Sequence, residues 1–242
     1  INKDSRINII TIDSEEGLEI MRHTLAAQVL ARAVKNLYPD SKLAVGPTIK
    51  DGFYYDVLFK KKISIDDLSA IETEMKKIIS NKTKIYKSLK SKNEAIDLFK
   101  KKDEIYKIKI IQNSSQEDNF QLYRQGDSDF VDLCRGPHLP NLGHIGSFKL
   151  TKLSGAYWQG DSKNEMLQRI YGTAWPNSKD LDNYILQQEE AEKRDHRKLG
   201  RQLDLFHFQE EAPGMVFWHP KGWSIYSALK DFIKIKQDEY DY

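Results

Sequence analysis

Residues 14–59 read SEEGLEIMRHTLAAQVLARAVKNLYPDSKLAVGPTIKDGFYYDVLF, and this stretch decides the fold class. Apolar side chains recur every three or four positions along its first half, which predicts an amphipathic helix over residues 15–37. Ser14 stands at the expected N-cap position, and Pro39 follows the last apolar residue, where it would stop the helix. The chain is therefore predicted to place a long helix with one buried face near its start.

Strand-like sequences follow this helix. Residues 43–45 and 52–59 are predicted strands, because side chains alternate in the second run and Asp51-Gly52 supplies a turn at its start. Capping boxes that begin at Ser64 and Ser91 predict two further helices. Short β-like runs separated by turn residues are then predicted at 106–111, 120–124, 148–153 and 166–171. Helices followed by an antiparallel sheet in one unit predict an α+β fold in which helices pack on that sheet.

The last third of the chain begins with a polar segment that differs in composition from the residues before it. Residues 177–200 predict one polar helix that Gly200 closes, and a helix that buries so little is typical of a connector between domains. Beyond it, residues 203–208 and 215–218 are predicted strands, and residues 222–237 a further helix.

Composition limits the class of protein. Among the 242 residues no run approaches the roughly 20 apolar residues that a membrane span needs. Cys134 is the single cysteine, which excludes an internal disulfide and favours a reducing, cytoplasmic setting. The formal net charge of +2 is too small to indicate nucleic-acid binding by itself. Basic clusters at 76–109 and 193–201 are either solvated helix faces or phosphate-facing surfaces. The abrupt start at Ile1 and the missing helix stop at the end predict a piece of a longer protein.

One short segment concentrates reactive side chains. Residues 131–138, VDLCRGPH, combine a carboxylate, a thiol, a guanidinium and an imidazole. Cys134 and His138 are four positions apart, and Gly136-Pro137 between them opposes a regular helix. A turn there would bring sulfur and imidazole together as metal ligands or as a polar pocket wall. A zinc site needs three or four protein ligands; His23 is a candidate third, and the sequence offers no obvious fourth. A buried thiol beside a core histidine is the alternative.

Seven ordered motifs resemble bacterial threonyl-tRNA synthetases. Those similar to the editing domain are RH at 22–23, GFYYD at 52–56, DLCRGPH at 132–138, GAYW at 155–158 and QRIYGTAW at 168–175. Two more, RDHRK at 194–198 and EEAPGMVFWH at 210–219, resemble the opening of the family's class II catalytic domain.

The resemblance implies a domain organisation. Residues 1–13 would be the remnant of a preceding N-terminal domain or linker, and residues 14–176 the editing domain. Residues 177–200 would be a linker helix. Residues 201–242 would be the truncated start of an α+β catalytic domain, with the motif 1 helix near residues 222–237.

The resemblance also implies a function. A synthetic site that accepts threonine cannot strongly reject serine, because one methyl group changes binding by only about 1–3 kcal/mol. The editing domain would therefore hydrolyse serine mischarged on threonine tRNA, with the 3′-terminal adenosine in its pocket and no cofactor. The parent enzyme would attach threonine as a homodimer, using ATP, Mg and one zinc whose ligands lie beyond residue 242. The alternatives are a non-catalytic tRNA-binding or dimerisation module with a vestigial pocket, or a free-standing editing hydrolase, which the class II opening disfavours.

Site roles follow from the resemblance one residue at a time. His23 and Lys107 would position or activate the attacking water and stabilise the developing charge. Asp132 would hold the substrate's α-amino group, while Cys134 and His138 would lie near the seryl side chain and ribose. The further residues implied at the substrate are Tyr55, Gly46 and Pro47, which would frame the adenosine, together with Arg135 and Gln28. Two of these have plainer readings from the sequence: Tyr55 as core, and Lys107 as a solvated residue at a strand start.

One departure from the family pattern concerns the first helix. The family carries two histidines four residues apart, whereas Ala27 stands four residues after His23. The helix is also one residue longer before Pro39, so Gln28 would take the second histidine's place if the extra residue falls between them. Glutamine exchanges hydrogen bonds but does not titrate near neutral pH. Losing this histidine further disfavours a metal at His23, Cys134 and His138, and no metal site is predicted in this chain.

Overall fold

A computed structural model describes residues 8–241 of the chain. The chain divides into two compact units after Leu181. Over the described range, no helix combines the length and hydrophobicity that crossing a bilayer requires.

The predicted first helix is present, and a π-helical segment widens its middle. Helix α1 (Glu15–Thr24) leads into the π segment (Leu25–Leu30) and then into α2 (Ala31–Leu37). The Ser14 side chain caps α1 by accepting a hydrogen bond from the Gly17 amide at 3.1 Å. In the π segment the Ala31 amide donates to the Ala26 carbonyl, five residues back. A π-type turn accommodates one extra residue without ending the helix. The one-residue excess expected before Pro39 from the resemblance remains a prediction.

Helix α1 and its continuation pack on an antiparallel sheet. The strands are β1 (Lys42–Leu43), β2 (Thr48–Ile49), β3 (Gly52–Leu58), β7 (Ser147–Tyr157) and β8 (Met166–Trp175). Their order is β1-β3-β8-β7, with β2 also paired to β3. The core between helix and sheet includes Met21, Leu25 and Val29 on one side and Phe53 and Val57 on the other, all fully buried.

A second antiparallel sheet forms the other half of this unit. It consists of β4 (Ile85–Lys90), β5 (Phe120–Gln125) and β6 (Val131–Leu133) in that order. Helices α3 (Leu68–Ser80), α4 (Lys92–Lys101) and α5 (Ile105–Gln112) complete the unit. Both capping boxes are present, at Ser64 with Asp67 and at Ser91 with Glu94. The α+β prediction, with helices packed on an antiparallel sheet, is confirmed.

Two local predictions in this unit are wrong. Residues 106–111, predicted as a strand, lie in helix α5. The alternation in YKIKII is short enough to fit either period, and in the helix Tyr106 and Ile111 are buried in two different hydrophobic clusters. Lys107 is therefore a helical residue with only 3% of its surface exposed, rather than a solvated strand residue. The sequence prediction also missed β4, whose lysines lie on an edge strand.

The second unit contains the C-terminal elements. Helix α6 (Ser178–Lys193) contains the division between units, and α7 (His196–Gln202) follows after a break. The single predicted helix over 177–200 is therefore wrong: Asp195 starts a new helix by accepting a hydrogen bond from the Arg197 amide at 2.8 Å. Gly200 lies inside α7, where a Cβ would meet the Phe206 ring at 2.3 Å.

The two predicted C-terminal strands are present but shorter than predicted, and the predicted helix is longer. Strands β9 (Phe206–His207) and β10 (Phe217–Trp218) pair antiparallel, and α8 spans Pro220–Glu239. The functional assignment of the four predicted segments of the chain remains a prediction.

Candidate active site

A cavity of about 640 Å³ lies in the first unit. Four parts of the fold form its wall: the first helix, the β1–β2 connection, α5 with the loop that follows it, and strands β5 and β6 with the residues after β6. The lining residues are His23, Ala27, Ala44, Val45, Gly46, Pro47, Lys107, Ile110, Asn113, Ser114, Gln116, Asn119, Phe120, Gln121, Asp132, Leu133, Cys134 and Arg135. Seven of the ten predicted site residues are among them: His23, Gly46, Pro47, Lys107, Asp132, Cys134 and Arg135.

His23 and Cys134 make a direct contact at the cavity wall. His23 Nε2 lies 2.6 Å from Cys134 Sγ, which also accepts a hydrogen bond from the Gly136 amide at 3.2 Å. Burial raises the pKa of the Cys134 thiol to about 11, with the Asp132 carboxylate adding to the shift. Burial also lowers the pKa of His23. At neutral pH the pair is therefore a thiol that donates to a neutral imidazole, and Cys134 is not a thiolate nucleophile.

His138 lies behind His23 instead of at the cavity wall. The two rings stack with centroids 4.8 Å apart and planes at 5°, and Tyr123 contacts His138 edge-on at 4.5 Å. Thr24 Oγ1 donates its one proton to the Ile20 carbonyl, so His138 Nδ1, 3.2 Å away, is assigned as the donor in their contact. The lone pair is then on Nε2, which is buried and has no hydrogen-bond partner. Burial, with the neighbouring His23, lowers the pKa of His138 to about 3.

His23, Cys134 and His138 also form a candidate ligand set. One nitrogen or sulfur atom from each lies within 4.8 Å of the other two. Two imidazoles and a thiol are donors that suit zinc, with one position left open. The prediction that this chain uses no metal at the site is not decided by this geometry and remains a prediction.

Lys107, Asp132 and Tyr55 form a buried polar triangle beside this cluster. Lys107 Nζ lies 2.6 Å from Asp132 Oδ1 and donates to the Tyr55 hydroxyl at 3.0 Å, and that hydroxyl donates to Asp132 Oδ2 at 3.0 Å. The Leu133 amide donates to Asp132 Oδ1 at 2.8 Å. Burial, with Asp132 adding, raises the pKa of Tyr55 well above its usual value. Hydrogen bonds on both charges offset the cost of removing the ion pair from water. An ammonium and a carboxylate therefore lie in fixed positions at the cavity wall.

Two predicted substrate contacts lie away from the cavity. Tyr55 has no exposed surface, and its hydroxyl holds the ion pair in place. Gln28 is also fully buried and faces Gln125 of β5. Ala27, four residues after His23, lines the cavity where Gln28 was expected to replace the second histidine.

Sequence reasoning missed several residues of the site. Thr24 holds His138 and also accepts a hydrogen bond from the Leu139 amide at 3.0 Å. The polar residues of the loop after α5, Asn113, Ser114, Gln116 and Asn119, line the cavity. Their sequence signal was a dense polar run, which turn formation alone also explains.

Comparison with known proteins finds a domain family that matches part of this site. Residues 120–171 match the family described as the threonyl and alanyl tRNA synthetase second additional domain. The matched segment runs from the start of β5 into β8 and includes Asp132, Cys134 and His138.

Several curated relatives of the whole chain are threonine–tRNA ligases. The chain is 53% identical over 234 residues to that of Prochlorococcus marinus (strain MIT 9211), covering 97% of this chain and 36% of the relative. It is 52% identical over 242 residues to that of Legionella pneumophila (strain Corby), and 50% identical to that of Hahella chejuensis (strain KCTC 2396). In both cases 100% of this chain and 38% of the relative are covered. The chain belongs to the threonyl-tRNA synthetase family and spans less than two fifths of the length of these relatives, which confirms the resemblance.

Proposed function

We propose that this chain hydrolyses the ester bond of seryl-tRNA and so removes serine mischarged on threonine tRNA. The observation that carries the proposal is the convergence, in one cavity, of a neutral imidazole and a buried ammonium–carboxylate pair. His23, Lys107 and Asp132 all line that cavity, in a chain similar to threonine–tRNA ligases. Ester hydrolysis needs a base for water and a positive group for the oxyanion, and this site has both.

His23 would act as the general base. Its lowered pKa keeps the ring neutral at physiological pH, and the thiol contact leaves the lone pair on Nε2, inside the cavity wall. A water that replaces the thiol as the partner of Nε2 would lose a proton to it while attacking the ester carbonyl. The released proton would return through the same imidazole to the leaving ribose oxygen, so protons balance over the reaction.

Lys107 and Asp132 would hold the charged parts of the substrate. The Lys107 ammonium is fixed by two hydrogen-bond partners and would stabilise the oxyanion without reorganisation. Asp132 would accept the α-amino group of the seryl ester. Cys134 and the His138 behind it would lie near the seryl side chain, and the Gly46-Pro47 wall would contact the adenosine.

The proposal includes the longer protein to which this chain corresponds. We infer that it attaches threonine to threonine tRNA as a cytoplasmic homodimer, using ATP, Mg and one zinc held outside this chain. Hydrolysis by this chain would correct the errors that the synthetic site makes with serine.

A non-catalytic tRNA-binding module is the second candidate, and one observation favours it. Four residues after His23, the helix presents the methyl group of Ala27 to the cavity instead of a titratable side chain. If the missing histidine is essential, the cavity would bind the aminoacylated 3′ end without cleaving it. Steeply salt-dependent binding without ester cleavage would identify this function.

Deacylation assays with seryl- and threonyl-charged threonine tRNA test the proposal. We expect faster hydrolysis of the seryl ester and a loss of at least about 100-fold in His23→Ala, as for removal of a general base. His144→Ala is the matched control, because His144 lies on an exposed turn away from the cavity. Equal rates for the two esters, or full activity in His23→Ala, would refute the proposed function.

A further inference from the structure

A side chain of the second sheet bridges the π segment of the first helix. Gln125, at the end of β5, is fully buried. Its Nε2 donates to the backbone carbonyl of Gln28 at 2.5 Å and lies 3.4 Å from Gln28 Oε1. Its Oε1 accepts a hydrogen bond from Arg32 Nη1 at 2.8 Å. One amide therefore joins a residue inside the π segment to a residue of α2.

The π segment needs such a partner. A π-type turn disturbs the regular pairing of amides and carbonyls in a helix, and an inserted side chain is one way in which that disturbance is held. The side chain at 125 must donate to a carbonyl and accept from a guanidinium; the first contact is buried and the second is partly buried. Glutamine provides a donor and an acceptor on one group, whereas a carboxylate lacks the donor and an alkyl chain lacks both.

The π segment lies between site residues of α1 and core residues of α2. Upstream of it, His23 and Thr24 face Cys134 and His138. Downstream of it, Ala33 and Val34 of α2 are fully buried in the core. In a regular helix each residue turns the face by about 100°, so one extra residue would rotate one of these two groups out of place. The widened turn lets both keep their positions.

We propose that Gln125 is a positioning residue for the deacylation reaction, which acts through the π segment to hold His23 against Cys134 at the cavity wall. Its side chain does not line the cavity. The kinetic part of this inference rests on the proposed function, whereas the structural part does not.

Three variants of the chain test the inference. Gln125→Leu removes both hydrogen bonds, and Gln125→Glu keeps an acceptor for Arg32 while losing the donor to Gln28. Gln168→Leu is the matched control, because Gln168 also bridges backbone groups, accepting from the Ile63 amide and donating to the Ile63 carbonyl at 2.9 Å each. It lies outside the cavity wall.

The kinetic readout is the split between kcat and KM for seryl-tRNA. We expect both Gln125 variants to lower kcat by about tenfold or more while KM changes less than about twofold, because a misplaced base slows chemistry more than binding. Gln168→Leu is expected to keep kcat within about twofold of wild type. Wild-type kcat in both Gln125 variants, or an equal loss in Gln168→Leu, would overturn the inference.

Hydrogen exchange separates this inference from the proposed function. Amides of residues 29–31 are expected to exchange at least about tenfold faster in Gln125→Leu than in wild type, and to be unchanged in Gln168→Leu. If the wild-type chain does not deacylate seryl-tRNA, the proposed function fails and exchange alone decides the role of Gln125. Unchanged protection of these amides in Gln125→Leu would then refute it.

Discussion

Replacing Lys107 by methionine should destabilise the first unit far more than replacing a surface lysine. The Lys107 and Asp132 side chains are 4% and 2% exposed, and their charged atoms lie 2.6 Å apart. Removing one partner of a buried ion pair costs about 3–5 kcal/mol, because the other charge stays buried without compensation. Asp132 keeps two donors, the Tyr55 hydroxyl and the Leu133 amide, so we expect the lower end, about 3 kcal/mol.

The assay is urea and thermal unfolding followed in the same buffer. About 3 kcal/mol corresponds to a fall in Tm of roughly 6–12 °C for a unit of this size. Lys60→Met is the control, since Lys60 and Asp40 are 3.2 Å apart but 80% and 71% exposed. Breaking such a surface pair should change stability by about 0–1 kcal/mol.

A double-variant cycle measures the interaction between the Lys107 and Asp132 charges. Asp132→Asn alone should also destabilise, because it leaves the Lys107 ammonium buried without its carboxylate. The double variant should then cost less than the sum of the two single changes, with a coupling of roughly 1–3 kcal/mol. Additive effects, or a Lys107→Met effect no larger than that of Lys60→Met, would show that the pair is not a buried ion pair in solution.

Three further predictions concern the same region. His138→Gln should flatten the acid side of the curve of folding stability against pH. Folding lowers the pKa of His138 from 6.5 to about 3. The stability of the wild-type chain should therefore be unaffected by this group above pH 6.5 and should fall between pH 6.5 and 3, where the unfolded chain takes up a proton that the folded chain does not. An unchanged slope in urea titrations between these pH values would contradict the buried, neutral ring. Cys134 should react slowly with iodoacetamide at pH 8, and the rate, followed by mass spectrometry, should rise about tenfold per pH unit towards the thiol pKa of about 11. A rate at pH 8 equal to that of a free thiol would exclude this pKa. Gly46→Ala should lower stability by about 1–3 kcal/mol in thermal unfolding, since its Cβ would lie 2.1 Å from the Tyr55 ring, whereas Gly155→Ala meets only the flexible Met166 sulfur at 3.3 Å and should be milder.

Local signals in the sequence predicted much of the fold because they act over a few residues. The Ser14 cap and the capping boxes at Ser64 and Ser91 are satisfied by partners three residues away. Helix α5 was mispredicted because its short apolar run fits two periods, and the choice depends on packing of Tyr106 and Ile111 against distant residues.

The sequence predicted which residues belong to the site better than it predicted their contacts. The reactive residues of the DLCRGPH segment are recognisable by type, and the cavity wall includes three of its predicted residues, Asp132, Cys134 and Arg135. The contacts between His23 and Cys134, 111 residues apart, and between Lys107 and Tyr55, 52 apart, depend on tertiary packing. The burial of Lys107 follows from the same long-range packing, so residue type alone suggested the opposite.

The π segment Leu25–Leu30 has a genetic consequence. An extra residue in a packed helix would normally displace everything on one side of it, yet here the widening is confined to six residues. Removing one codon within this segment would therefore return the helix to a regular register with little further change. Loss of the Ala27 codon would place the present Gln28 four residues after His23, the spacing at which the resemblance implies a second histidine. On that expected pattern, one in-frame deletion and one further codon change separate this chain from a pair of helix histidines.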